Sequence, residues 1–170
     1  MLLFGMSRTT ASHACGRAFA STFRGPKPGV SANLAATPQP ECIGKQARVC
    51  FDRWNASLAT RDPKKVVANY AQKSVLLPTM SNEPRPTSVD KLDYFSTFLQ
   101  SGPQATIDKS WTYSYGKTIF HSGIYTFRFA ENSNTVTGKF SFTYNWVGNR
   151  WLITSHHSSL LAPSDPPAQP

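Results

Sequence analysis

His157 and Ser159, near the end of the run Arg150-Trp-Leu-Ile-Thr-Ser-His-His-Ser-Ser159, are the residues of this chain best placed by type and spacing to do chemistry. A strand sends alternate side chains to opposite faces. Read as a strand, the run predicts Trp151, Ile153, Ser155, His157 and Ser159 on one face. Leu152, Thr154, His156 and Ser158 take the other. The first face begins apolar and ends in a hydroxyl, an imidazole and a second hydroxyl. Such a face can hold a small polar molecule and move a proton. An imidazole ordinarily titrates at about 6.5, and a hydroxyl both donates and accepts hydrogen bonds.

Metal chemistry is disfavoured by the same alternation. The chain has four histidines, His13, His121, His156 and His157. Neighbours on a strand point opposite ways, so His156 and His157 do not share an ion. No further Cys, His or acidic group stands at ligand spacing from them, and a three-histidine zinc site cannot be assembled. We expect neither metal nor other cofactor.

The elements that position these residues follow from periodicity. Ile43, Ala47, Cys50, Phe51, Trp54 and Leu58 recur every three to four residues, which predicts an amphipathic helix. Asp62-Pro63 supplies an N-cap followed by proline at the first helical position of a short helix, with Val66, Val67 and Tyr70 inward. Ser74-Val-Leu-Leu-Pro78 reads as a short buried strand. Ser88 can cap a third helix with Leu92, Phe95, Phe98 and Leu99 as its apolar stripe. After Gly102-Pro103 the period changes to two. Strands are predicted over residues 105–115, 117–131, 136–147 and 150–160, with turns at Asn132-Ser-Asn134 and Gly148-Asn149. Phe140, Phe142, Tyr144 and Trp146 alternate with polar residues and read as core or a dimer surface. Three helices then cover one face of a curved antiparallel sheet, an α+β cone with a pocket between helices and sheet.

The 170 residues suffice for one domain with a substantial core, and 11 Phe, 6 Tyr and 4 Trp fall mostly after position 50. The net charge of +9 is unevenly placed. Residues 1–40 hold Arg8, Arg17, Arg24 and Lys27 with no acid, and the remaining Lys and Arg are scattered. Nucleic-acid binding, which needs a patch, is not expected. No apolar run approaches the ~20 residues that span a membrane. The composition of residues 1–40 is that of a targeting presequence for a mitochondrion or plastid, with a bacterial cytoplasmic or periplasmic protein as the alternative. Residues 41–162 form the expected domain, and 163–170 a Pro-rich disordered tail. Cys15, Cys42 and Cys50 make no disulfide framework.

The element order resembles the nuclear-transport-factor-2-like superfamily of cone folds, which includes the ketosteroid isomerases. Phe51-Asp-Arg-Trp-Asn-Ala-Ser-Leu-Ala-Thr-Arg-Asp-Pro63 resembles the first helix of its branch related to the calcium/calmodulin-dependent kinase association domain. Asn69-Tyr-Ala, Val75-Leu-Leu-Pro-Thr-Met-Ser-Asn82, Asp93-Tyr-Phe95, Ser122-Gly-Ile-Tyr-Thr-Phe127 and Trp151-Leu-Ile-Thr-Ser-His-His-Ser-Ser159 are similar to the iota-class carbonic anhydrases within that branch. The resemblance covers about residues 45–162 and implies a pocket for carbon dioxide and bicarbonate. It implies Thr79, His157 and Ser159 as site residues, with one tyrosine, Tyr94 or its competitor Tyr125. It also implies catalysis without metal.

In that chemistry Thr79 and Ser159 would hold water and bicarbonate. Tyr94 would orient or donate, and His157 would carry the proton. Tyr125 and Ser155 complete the expected substrate contacts. Acid–base help of this kind is worth ~10²–10⁴-fold, so the enzyme should be slower than zinc-hydroxide enzymes. Two rival functions remain. An isomerase or dehydratase of the cone fold would want a pocket carboxylate, whereas Asp52, Asp62, Asp90, Asp93, Asp108 and Glu131 fall at element ends or surfaces. A non-catalytic oligomerisation module is the other, and a homodimer is expected in either case.

Overall fold

The computed structural model describes residues 43–162. Residues 1–42, with His13, Cys15 and Cys42, and residues 163–170, where a targeting presequence and a disordered tail were expected, lie outside the described residues. The order is α1 (Ile43–Ala59), α2 (Pro63–Val67), β1 (Tyr70–Leu77), α3 (Ser88–Phe98) with a short 3-10 turn (Leu99–Ser101), β2 (Pro103–Tyr115), β3 (Thr118–Phe129), β4 (Thr135–Val147) and β5 (Arg150–Leu160). The strands form one open, curved sheet in the order β1-β5-β4-β3-β2. β1 runs parallel to β5, and the other neighbours are antiparallel. The α+β class with N-terminal helices on a curved sheet is as the periodicity predicted.

Helix α1 buries Ala47, Cys50, Phe51, Trp54 and Leu58, the predicted stripe, and lies across β2 and β3. The sheet meets it with Ile119, Phe140, Phe142 and Tyr144, all buried. Aromatic rings dominate this layer: Trp54 stands edge-on to Phe142 at 5.3 Å, and Phe142 stacks on Tyr144 at 5.6 Å. Burying one large apolar side chain is worth about 1.5–3 kcal/mol, so this layer fixes the sheet's curvature against the helix.

Two boundaries differ from the sequence expectation. The α3 N-cap is Thr87 rather than Ser88: Thr87 accepts from the Asp90 amide, and the Asp90 carboxylate accepts from the Thr87 amide. This reciprocal pair satisfies two orphan donors where a lone Ser cap satisfies one. Tyr70 begins β1 rather than packing from α2, because α2 ends after one turn at Val67. The Asp62 cap is as predicted, accepting from the Lys64 amide at 2.9 Å.

The larger correction is in β5. Ile153 pairs with Tyr144 and Ser155 with Thr143, so Thr154 is an extra residue opposite the ladder, a β-bulge. Its hydroxyl donates to Asn145 Oδ1 at 2.6 Å. On the other side of β5, β1 also shifts register, from Tyr70↔Ile153 to Val75↔Ser155. One inserted residue exchanges the two faces of everything after it. Trp151 and Ile153 therefore face the helices as expected, but His156 and Ser158 follow them inward. Ser155 and His157 pair with Thr143 and Ser141 and turn to the opposite face.

Candidate functional site

The inner face of β5 ends in a cavity of about 360 Å³ between the sheet, the loop after β1 and α3. Its walls are mainly apolar, from Leu76, Phe95, Phe98, Phe127 and Phe129. Met80, Asn132 and Val136, all exposed, also line it. None of the lining residues is Asp, Glu, Lys or Arg.

Three hydroxyls converge in it. Thr79 Oγ1 lies 2.5 Å from Ser158 Oγ, and Tyr125 OH is hydrogen-bonded to the same Ser158 oxygen. Thr79 follows Pro78 at the end of β1, which delivers it beside β5. Tyr125 reaches Ser158 over Gly138, its partner across the β3–β4 ladder. A Cβ at position 138 would meet the Ser159 carbonyl at 2.6 Å and the Tyr125 ring at 3.3 Å, so glycine makes this approach possible. Tyr94 lines the cavity from α3, its ring stacked on Phe98 at 5.5 Å.

His156 closes the inner end. It is 3 % exposed, stacks on Phe142 at 4.0 Å and stands edge-on to Trp54 at 5.3 Å. Its Nδ1 is 2.8 Å from the Tyr70 hydroxyl, and its Nε2 is buried with no hydrogen-bond partner among the described residues. Burial pushes the His156 imidazole down to about 3, so it is neutral at physiological pH. Burial raises the Tyr125 phenol above its ordinary value, partly offset by the Ser158 hydroxyl, and pushes Tyr94 up to about 12. The cavity lining is therefore uncharged: hydroxyls, one neutral imidazole and the amides of Asn132 and Asn134 set in hydrocarbon.

Of the residues singled out from the sequence, Thr79, Tyr94, Tyr125 and Ser159 line this cavity. Ser155 and His157 do not, and His157 is exposed. Ser159 pairs with Lys139 and makes no side-chain hydrogen bond among the described residues, whereas Ser158 makes two. Sequence reasoning missed His156 and Ser158 because it carried the alternation through Thr154. It missed Tyr70 because it assigned that residue to α2. Among the described residues, no three His, Cys, Asp or Glu side chains are grouped to hold a metal ion.

The family model for the calcium/calmodulin dependent protein kinase II association domain matches residues 45–162. A Xanthomonas campestris crystal structure named for the same association domain is 32% identical, with a TM-score of 0.68, covering 77% of this chain and 93% of that one. An NTF2-like protein of unknown function from Pseudomonas putida is 13% identical with a TM-score of 0.62, covering 71% of this chain and 88% of that one. An NTF2-like protein from Streptomyces avermitilis, named as a candidate dehydratase, is 10% identical with a TM-score of 0.64, covering 73% of this chain and 100% of that one. The last two share the fold alone. No curated protein sequence matches the chain.

Proposed function

This chain belongs to the calcium/calmodulin-dependent protein kinase II association-domain family, and from its cavity we propose that it catalyses the reversible hydration of carbon dioxide to bicarbonate. The observation that carries the reading is the Thr79–Ser158–Tyr125 hydroxyl cluster in a cavity whose lining has no charged side chain. Carbon dioxide is apolar overall but has two acceptor oxygens. Aromatic walls suit the gas, and hydroxyl donors suit the oxygens as charge grows on them. A hydroxyl that donates to one neighbour and accepts from another can also hold and orient a water.

In the hydration step the water oxygen bonds to carbon, and one carbon–oxygen π pair moves onto an oxygen. The water's proton leaves through the hydroxyl cluster toward solvent at the mouth. Thr79 and Ser158 hold the water, Tyr125 and Tyr94 border the gas, and the product is bicarbonate. His157 is too exposed on the outer face to act as the carrier inferred from the sequence, and buried His156 is too weak a base to replace it. An isomerase or dehydratase that relies on a pocket carboxylate fits less well, since the lining has none.

A stopped-flow hydration assay on the full chain tests the reading, with and without chelator. Hydration above the buffer rate, unchanged by chelator, is expected. No rate above buffer removes the activity, and loss to chelator removes the metal-free route.

Self-association is a second, compatible reading, motivated by the family's association-domain name and by the outer sheet face. Trp111, Tyr113, Tyr115 and Phe120 are 48%, 60%, 70% and 41% exposed there. Aromatic patches of this kind mark contact surfaces, and a second copy of this chain is the partner we propose.

A further inference from the structure

Tyr70 and His156 form a buried pair whose proton count has one economical solution. Among the described residues the Tyr70 hydroxyl is hydrogen-bonded to His156 Nδ1, and the indole N–H of Trp54, which can only donate, also bears on its oxygen. If His156 carried its proton on Nδ1, the ring would donate to the Tyr70 oxygen. The phenol proton would then have no acceptor and the Nε2 lone pair no donor, two unmet groups in a buried place. If the proton is on Nε2, Tyr70 donates to Nδ1 and only Nε2–H is unmet. That single donor is a buried atom of a residue lining the cavity, so a ligand there can accept from it only where the surrounding side chains give way.

We propose that Tyr70 is a positioning residue that holds His156 as its Nε2–H tautomer, so that a neutral imidazole offers the cavity a hydrogen-bond donor rather than a base. Lys91 favours the same direction. It is 1% exposed, and its Nζ donates to the carbonyls of Ser74, Pro86 and Thr87 at 2.9, 3.0 and 3.3 Å. Three acceptors match the three N–H bonds of an ammonium. That ammonium sits 5.7 Å from the centre of the Tyr70 ring. A cation over a phenol draws electron density from it and makes its O–H a better donor. The stacked Phe142 and the edge of Trp54 hold the imidazole plane in place. On the carbon dioxide reading, on which only this use rests, the Nε2–H stabilises the oxygen on which charge develops.

Nitrogen-15 NMR of full-length protein labelled at histidine tests the tautomer without reference to activity, with His156 identified by the signal lost in His156→Asn. At pH 7 the wild type should show one form, with Nε2 protonated and Nδ1 shifted as an acceptor of a hydrogen bond. In Tyr70→Phe the Nδ1 signal should move toward that of a free acceptor, and some Nδ1–H form should appear. A wild-type ring protonated on Nδ1 would overturn the proposal. So would an Nδ1 signal that Tyr70→Phe leaves unmoved. In the hydration assay Tyr70→Phe should lower kcat by about tenfold with KM little changed, less than the ~10²-fold loss from deleting such a donor outright. The tautomer result stands even if no hydration is found, and hydration would stand even if the tautomer were the other one.

Discussion

Thr79 Oγ1 lies 2.5 Å from Ser158 Oγ, joining the loop after β1 to the last strand across 79 positions of sequence. The contact exists because Thr154 bulges out of β5 and brings the hydroxyl of Ser158, rather than that of Ser159, to Thr79. Thr79→Val keeps the shape of the side chain and removes the hydroxyl, leaving Ser158 only Tyr125 as partner. We expect hydration to fall ~10²-fold, while stability changes by only about 1 kcal/mol. Stopped-flow rates beside thermal melts separate the two effects. An unchanged rate would place the chemistry elsewhere.

Gly138→Ala should damage fold and site together. The new methyl would sit 2.6 Å from the Ser159 carbonyl, which is backbone and cannot swing away, and 3.3 Å from the Tyr125 ring. Overpacking of this kind costs typically ~1–3 kcal/mol. Urea melts should show that loss, and the displaced Tyr125 should lower the hydration rate as well. A melt unchanged from the wild type would contradict the close approach.

Acid should destabilise the domain through two buried histidines. Burial drops His156 to about 3 and His121 to about 4 from an ordinary 6.5. Between these values the unfolded chain binds more protons than the folded one, so stability falls as pH falls. The contribution is fully present above pH 6.5 and is lost on descending toward pH 4, by up to about 1.4 kcal/mol per pH unit for each histidine. Urea melts at pH 7, 6 and 5 should show midpoints moving steadily lower. A flat series would mean that these imidazoles are solvated.

The same burial predicts a plain pH–rate profile. His156 stays neutral from pH 5 upward, so no cavity imidazole titrates near neutrality. Hydration rates in buffers of equal strength should show no inflection at the ordinary histidine value. A clear inflection there would restore a histidine as the proton carrier.

If the outer face joins two copies, light scattering on the purified chain should give at least twice the monomer mass. Trp111→Lys combined with Tyr113→Lys should shift it toward the monomer. Both side chains are already exposed, at 48% and 60%, so the fold should tolerate the change. A monomeric wild type would remove the interface.

Much of the fold was legible because burial on α1 and β4 writes itself as a period. Ala47, Phe51, Trp54 and Leu58 repeat at helical spacing, and Phe140, Phe142 and Tyr144 at strand spacing, and all are buried. Tyr125 entered as a candidate only through the resemblance, in Ser122-Gly-Ile-Tyr-Thr-Phe127, as the competitor of Tyr94. The end of β5 was not legible. In Thr154-Ser-His-His-Ser-Ser159 both faces carry the same residue types, so a one-residue insertion leaves no mark on the pattern. The bulge depends instead on Asn145 accepting from the Thr154 hydroxyl, a contact between strands. Lys91 was equally hidden: a lysine in an exposed-looking helical position is buried because three carbonyls happen to meet its amine.

The central claim is that β5 presents Ser158 to a reacting carbon dioxide and sends His157 away from it. Exchange of carbon-13 label between carbon dioxide and bicarbonate at equilibrium measures the interconversion directly, for wild type, Ser158→Ala and His157→Ala. The account predicts exchange above the buffer rate in the wild type, a ~10²-fold loss in Ser158→Ala and wild-type exchange in His157→Ala. Full exchange in Ser158→Ala with its loss in His157→Ala would contradict it.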